Sequence, residues 1–220
     1  RKTYLDIFFK RAVSYLLDKK GLINTVMNQQ AVEAHTPVPP VLFNKQDHIK
    51  PFEFSESIAR ECYERSPAKG KKINFYIPSV KETELAATVI QDQMKKIGIE
   101  VEMKIMDWSA FKEAVAKGEA DMFLMSWWAD YADPENFLYP TFHSKNFGIA
   151  GNRVYYGNAS LDNILEYLHV YPQEERRNMA VQKSLVILNT DLPWIPLWHR
   201  TSTYAVSPRI KGFSPVSLYS

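Results

Sequence analysis

Residues 121–137 read Asp-Met-Phe-Leu-Met-Ser-Trp-Trp-Ala-Asp-Tyr-Ala-Asp-Pro-Glu-Asn-Phe, and their reading decides the fold. After Asp121 the first half is an uncharged, mostly apolar run, the pattern of a strand buried on both faces. The second half gathers Trp127, Trp128 and Tyr131 with Asp130, Asp133 and Glu135 around Pro134, which cannot continue a central strand. A core strand therefore runs out into a loop dense in aromatic and anionic groups. In open α/β sheets, ligands bind there, in the crevice beyond the carboxyl ends of the strands.

Upstream, strand and helix patterns alternate. Ile73–Ile77 reads as a short β-branched and aromatic strand. Glu82–Ile97 reads as a helix with Leu85, Val89, Ile90, Met94 and Ile97 on one side, stopped by Gly98. Glu100–Met106 alternates Glu100, Glu102 and Lys104 with Val101, Met103 and Ile105, the signature of a half-buried strand. Asp107 can cap a helix over Ser109–Lys117, closed by Gly118. Strand–helix–strand–helix–strand with short joints predicts a parallel βαβαβ core with right-handed crossovers. All strand C-termini then share one edge. The loop Pro78-Ser79-Val80, Trp108 and Trp127–Tyr131 are expected to converge on one cleft.

On the N-terminal side, Leu5, Phe8, Phe9, Ala12, Val13, Leu16 and Leu17 predict an amphipathic helix, with Lys19 and Lys20 at its end and Gly21 as its stop. A second short helix is expected over Leu22–Asn28. Pro37, Pro39, Pro40 and Pro51 mark an extended loop, and Ser55 is the expected N-cap of a helix to about Arg65. Beyond Phe137 the chain reads as loop to Gly157. Ser160 then caps one helix, and Pro172 opens another that runs to about Asn189. Trp194–Val206 reads as extended, with Pro196 barring it from the centre of a regular sheet.

Apolar residues make up 45% and charged residues 24% of the 220, as in a globular domain, and a formal charge of +2 gives no reason to expect nucleic acid. No apolar run approaches the roughly 18 residues of a membrane span. The chain opens Arg-Lys-Thr-Tyr, without Met or an apolar signal core, which is the expectation for a mature product or a piece of a longer protein. Cys62, with no second cysteine to pair with, reads as a small core residue. The five histidines lack metal-ligand spacing, and there is no Gly-x-Ser-x-Gly elbow, phosphate loop or dinucleotide fingerprint. Neither a cofactor nor an enzyme is expected.

The carboxylates of the decisive stretch admit three readings. A calcium loop would need Asp-x-Asp-x-Asp-Gly with a glutamate at its twelfth position, which is absent. A glycosidase acid–base pair, with tryptophans as sugar platforms, is the second. In the third, Asp133 caps a helix that starts at Pro134 and Glu135 favours that helix's N-terminus. The third is preferred for Asp133 and Glu135. Asp130, between aromatics and just beyond a buried strand, would be costly unpaired, and so calls for a cationic partner from the protein or a ligand amine.

Phe8–Asp18, Thr36–Pro40, Trp127–Phe137 and Trp194–His199 resemble, in order and spacing, the family 5 extracellular solute-binding proteins, the dipeptide and oligopeptide receptors of bacterial ABC importers. The resemblance implies a type II periplasmic-binding-protein lobe. Residues 1–193 would be the C-terminal lobe of a two-lobed trap, and residues 194–220 a return segment toward a missing N-terminal lobe. It implies that Asp130 pairs with a peptide α-amino group and that Trp108 and Trp127 line side-chain pockets, with Trp128 and Tyr131 completing the ligand-binding set. It also implies a periplasmic or extracellular monomer working with membrane permease subunits. Where some members carry a basic residue for the peptide carboxylate, this chain has Ile77, Glu82 or Leu124, so longer peptides, other amines or sugars stay open. An oligosaccharide receptor and a carbohydrate-active enzyme using Asp130 are the alternatives.

Overall fold

A computed structural model describes residues 2–170 and 174–214. The chain opens with α1 (Ile7–Leu16), where the Asp6 carboxylate accepts from the Phe9 amide at 2.9 Å, and α2 (Lys19–Val26), where Asp18 accepts from the Gly21 amide at 2.9 Å. The expected break is therefore corrected. Lys19, Lys20 and Gly21 begin the second helix rather than end the first, because Asp18 supplies the acceptor that its free amides need.

A short strand that the sequence did not signal, β1 (Ala31–Glu33), follows. It pairs antiparallel with the last described strand, Ala31 opposite Arg200 and Glu33 opposite Trp198. After the proline-rich loop, Ser55 caps α3 (Glu56–Glu64) as expected. Then come β2 (Ile73–Pro78), α4 (Lys81–Lys96), β3 (Val101–Met106), α5 (Trp108–Ala116) and β4 (Met122–Phe123). The three strands are parallel in the order β3-β2-β4, which is the predicted βαβαβ core. Gly98 and Gly118 leave α4 and α5 at φ +83° and +71°, a backbone region in which a side chain is strained.

The central strand shows why the core sits where it does. Ile73, Phe75 and Ile77 are buried in one core with Phe9, Leu16, Ile90 and Met94, while Tyr76 turns to the opposite face with Phe111 and Val115. Each such side chain contributes about 1.5–3 kcal/mol on burial. On edge strand β3 the expected alternation holds for Val101 and Met103, which pack on the core. Ile105 breaks it and is 53% exposed.

The strand expected over Asp121–Trp127 is corrected as well. Its ladder is confined to Met122–Phe123, with Asp121 and Leu124 each giving one further amide bond to β2. Residues 121–125 are only half-buried, because among the described residues no strand pairs with the other edge of β4. A groove of about 990 Å³ is lined by residues 122–125 together with Ile195, Leu197 and Trp198. The start of the strand is firmly held. The Asp121 carboxylate accepts from Lys2 Nζ (2.5 Å), the Tyr4 hydroxyl (2.6 Å) and the Asn74 amide (2.8 Å). Burial pushes this carboxyl up, and those donors, with the Asn74 side-chain amide at 3.0 Å, outweigh it and hold it below its usual range.

Beyond the decisive stretch, α6 (Pro134–Phe142) occupies part of what reads as loop, with Pro140 inside it. Next is α7 (Ala159–Val170), capped by Asn158, whose Oδ1 accepts from the Ser160 and Leu161 amides at 3.0 and 3.2 Å, instead of by Ser160. The last helix is α8 (Glu174–Asp191); the reading of Pro172 as its opening falls outside the described residues. These three helices share a second core of Leu138, Phe142, Leu161, Leu165, Leu185 and Leu188. Trp194 packs at a tilt on Phe142, ring centroids 4.8 Å apart, β5 (Trp198–Arg200) is the last strand among the described residues, and residues 201–214 are exposed throughout. No described helix is long and apolar enough to cross a membrane.

Candidate functional site

Strands β2, β3 and β4 end on one edge of the sheet, so their following loops leave in the same direction. The first two are joined by a hydrogen bond from the Ser79 amide to the Met106 carbonyl at 2.7 Å. Trp108 opens α5 directly after β3. It is 51% exposed, stacks on Phe111 at 5.8 Å, and carries the Lys112 ammonium over its ring. It makes its contacts with its own helix, and it does not border the groove that Trp127 and Trp128 line.

The loop after β4 is shaped by the first turn of α6. Asp133 is the N-cap, accepting from the Glu135 amide at 2.8 Å, with Pro134 at the first helical position. Asn136 is buried and faces back into the loop. Its side-chain Oδ1 accepts from the Asp130 amide at 2.9 Å, and its carbonyl accepts from the Trp127 indole at 2.8 Å. Glu135, also buried, accepts from the Tyr131 hydroxyl and lies 2.8 Å from His169 Nδ1, whose ring stacks on Tyr139 at 4.5 Å. Tyr131 is therefore tied by its hydroxyl while its ring stays half in solvent.

Asp130 sits on this braced loop with its backbone fixed and its side chain in solvent. Its carboxylate makes no ion pair with any described residue, so the expected protein cation is not found there. The premise that it would be costly unpaired is corrected, since the position is exposed to solvent and not buried. Trp128 beside it is 62% exposed, and Trp127 is half-buried with its indole nitrogen committed to Asn136. The preferred reading of Asp133 as a cap stands, and the structure adds an Arg177 partner that the sequence did not suggest. Among the described residues, no group of three His, Cys, Asp or Glu side chains is placed to hold a metal ion.

Asn136, Arg177 and His169 are the residues that sequence reading missed. One signal was available for Asn136: a proline four residues further along the same helix leaves its carbonyl without a helical donor.

A parallel βαβαβ sheet flanked by helices, ending in an aromatic and acidic loop, defines a type II periplasmic-binding-protein lobe. Residues 1–148 match the model described as bacterial extracellular solute-binding proteins, family 5 Middle, and the chain belongs to that family. Among its relatives is Heme-binding protein A of Haemophilus influenzae, 27% identical over 214 residues, covering 94% of this chain and 39% of that protein. Di/tripeptide-binding protein 2 of Pseudomonas aeruginosa is 26% identical over 215 residues, covering 94% of this chain and 40% of its own. The solved structure of the periplasmic binding protein DppA from Helicobacter pylori, in complex with the peptide STSA, superposes with a TM-score of 0.81 at 26% identity over 91% of this chain and 40% of that one. The chain thus spans about 40% of the length of these relatives.

Proposed function

We propose that this chain is the C-terminal lobe, residues 1–193 with a return segment over 194–220, of the substrate-binding component of an ABC importer that captures peptides between two lobes. The protein works in the periplasm or at the cell surface as a monomer, delivers its ligand to membrane permease subunits, and performs no chemistry on it. The observation that carries the reading is the Asp130 carboxylate. It stands exposed and unpaired on a loop whose backbone is fixed, beyond the carboxyl end of β4 and beside an exposed indole. An anion carried on a fixed backbone but left without a cation suits an ammonium group. Trp127, Trp128 and Tyr131 flank it as apolar walls, while Trp108, which opens α5 beyond the other edge strand, stands outside their groove. Relatives named for di- and tripeptides, and one solved with a bound peptide, support the same ligand class.

The Haemophilus relative's name favours a second reading, in which heme occupies the cleft. Calorimetry on the full-length parent decides between the two. Peptides with a free amino terminus should bind and their N-acetyl forms should bind much more weakly. Tight heme binding that is indifferent to peptide would overturn the proposal.

A further inference from the structure

Pro140 stands inside α6, where a proline removes one i→i−4 hydrogen bond and crowds the carbonyl four residues back. That carbonyl belongs to Asn136, which is 3% exposed, so leaving it bare would be costly. It is not bare: the Trp127 indole donates to it at 2.8 Å. The Asn136 side chain meanwhile accepts the Asp130 amide at 2.9 Å. One buried residue holds two members of the loop, and the helix makes no claim on the carbonyl that holds the first.

We propose that Pro140 and Asn136 are positioning residues for the ligand loop. Pro140 keeps the Asn136 carbonyl free for the Trp127 indole, and Asn136 fixes Trp127 and the Asp130 backbone relative to one another. The bracket stands on geometry; its effect on binding rests on the ligand-facing reading of Asp130 and Trp127. An alanine at position 140 would bring an N–H aimed at the same carbonyl. Helix and indole would then compete, with the helix gaining what the loop loses. A proline of purely structural importance would not produce that opposition.

The test uses the full-length parent labelled with ¹⁵N-tryptophan, the Trp127 indole signal being assigned by its loss in Trp127→Phe. In Pro140→Ala the expected results are a raised Tm, at least roughly tenfold faster solvent exchange of the Trp127 indole proton, and about tenfold weaker binding of an alanine di- to tetrapeptide pool, the equivalent of one hydrogen bond. In a Trp127→Phe background the same change should raise Tm and leave affinity where it was. Asn136→Ala and Asp130→Asn should give losses of affinity that do not add. Unchanged indole exchange in Pro140→Ala overturns the proposal even if Asn136→Ala fails to fold, and fully additive losses overturn it too. Faster exchange with an Asp130→Asn variant that binds normally supports the bracket and sinks only the reading of Asp130 as the amine anchor.

Discussion

Arg177, on α8, grips Asp133 through both carboxylate oxygens, its Nη2 lying 2.6 Å from Oδ1 and 2.7 Å from Oδ2. The same Oδ1 caps α6 by accepting the Glu135 amide at 2.8 Å. One carboxylate thus starts the helix that shapes the ligand loop and ties that helix to the far side of the second core. Asparagine caps a helix about as well as aspartate, so Asp133→Asn isolates the charge. With both side chains partly screened, its loss should cost about 1.5–2 kcal/mol of stability, the lower part of the range for hydrogen bonds to charged groups. Urea unfolding of Asp133→Asn, Arg177→Gln and the double variant measures this. A double variant as unstable as the sum of the singles would mean that the pair does not act as a unit.

The 220 residues alone should bind peptide weakly or not at all. In the proposed receptor the ligand is enclosed between two lobes, and one lobe supplies only part of the contacts. The entropy cost of association is paid in full either way, so affinity should fall far below that of the parent. Calorimetry of this chain with a peptide pool is the check. Micromolar or tighter binding would show that a single lobe suffices.

The parallel core was legible because local signals agreed with one another. Asp107 before α5, Gly98 and Gly118 after α4 and α5, and the apolar run of β2 all marked the same boundaries. Reading failed where the deciding partner is remote in sequence. β1 exists because residues 198–200 return to pair with it, across a separation that no local pattern encodes. The half-buried state of 121–125 depends on an edge that no described residue covers. At the site, the aromatic and acidic loop was visible as composition, while its bracing was not. Arg177 lies 44 residues from Asp133, and nothing in the intervening periodicity points from one to the other. Lys19 and Gly21 misled for a local reason: a glycine after two lysines is the usual end of a helix, and Asp18 converts it into a beginning.

Stability should fall in acid through His199. It lies on β5 opposite Val32, and burial holds it down to about 4 against a hydrogen bond to the Thr36 backbone, with His35 and Lys19 adding to the depression. The folded state therefore refuses a proton that the unfolded chain takes up below about 6.5. Stability is complete above that value and is lost as the pH falls toward about 4, by up to about 3 kcal/mol. His35, also held down by burial, acts in the same sense. His199→Gln should flatten most of the decline in urea midpoint between pH 7 and pH 4.5. An equally steep decline in the variant would place the acid sensitivity elsewhere.

Asp130 carries the sharpest expectation, in the full-length parent. Its amide is fixed by Asn136 at 2.9 Å while its carboxylate has no partner among the described residues, so an unpaired charge is carried on a fixed backbone. Free in solvent it costs nothing. Once a second lobe closes over the cleft, a ligand ammonium becomes the group that keeps it from being buried alone, and the resulting pair is charge-assisted. Removing one partner of such a pair costs about 2–5 kcal/mol, much of it from the charge left behind. Asp130→Asn keeps shape and volume, so affinity for a free-amine peptide should drop at least roughly thirtyfold at 1.4 kcal/mol per decade. N-acetylating the peptide should cost a similar amount, and the two losses should not add, because each breaks the same pair. Asp133→Asn should leave affinity nearly unchanged, since that carboxylate is already held by Arg177. Normal binding by Asp130→Asn together with a collapse in Asp133→Asn would mean the wrong aspartate was chosen. Additive losses from the acetyl group and Asp130→Asn would mean that the ammonium is recognised by another group, and that Asp130 acts on the cleft from outside the contact.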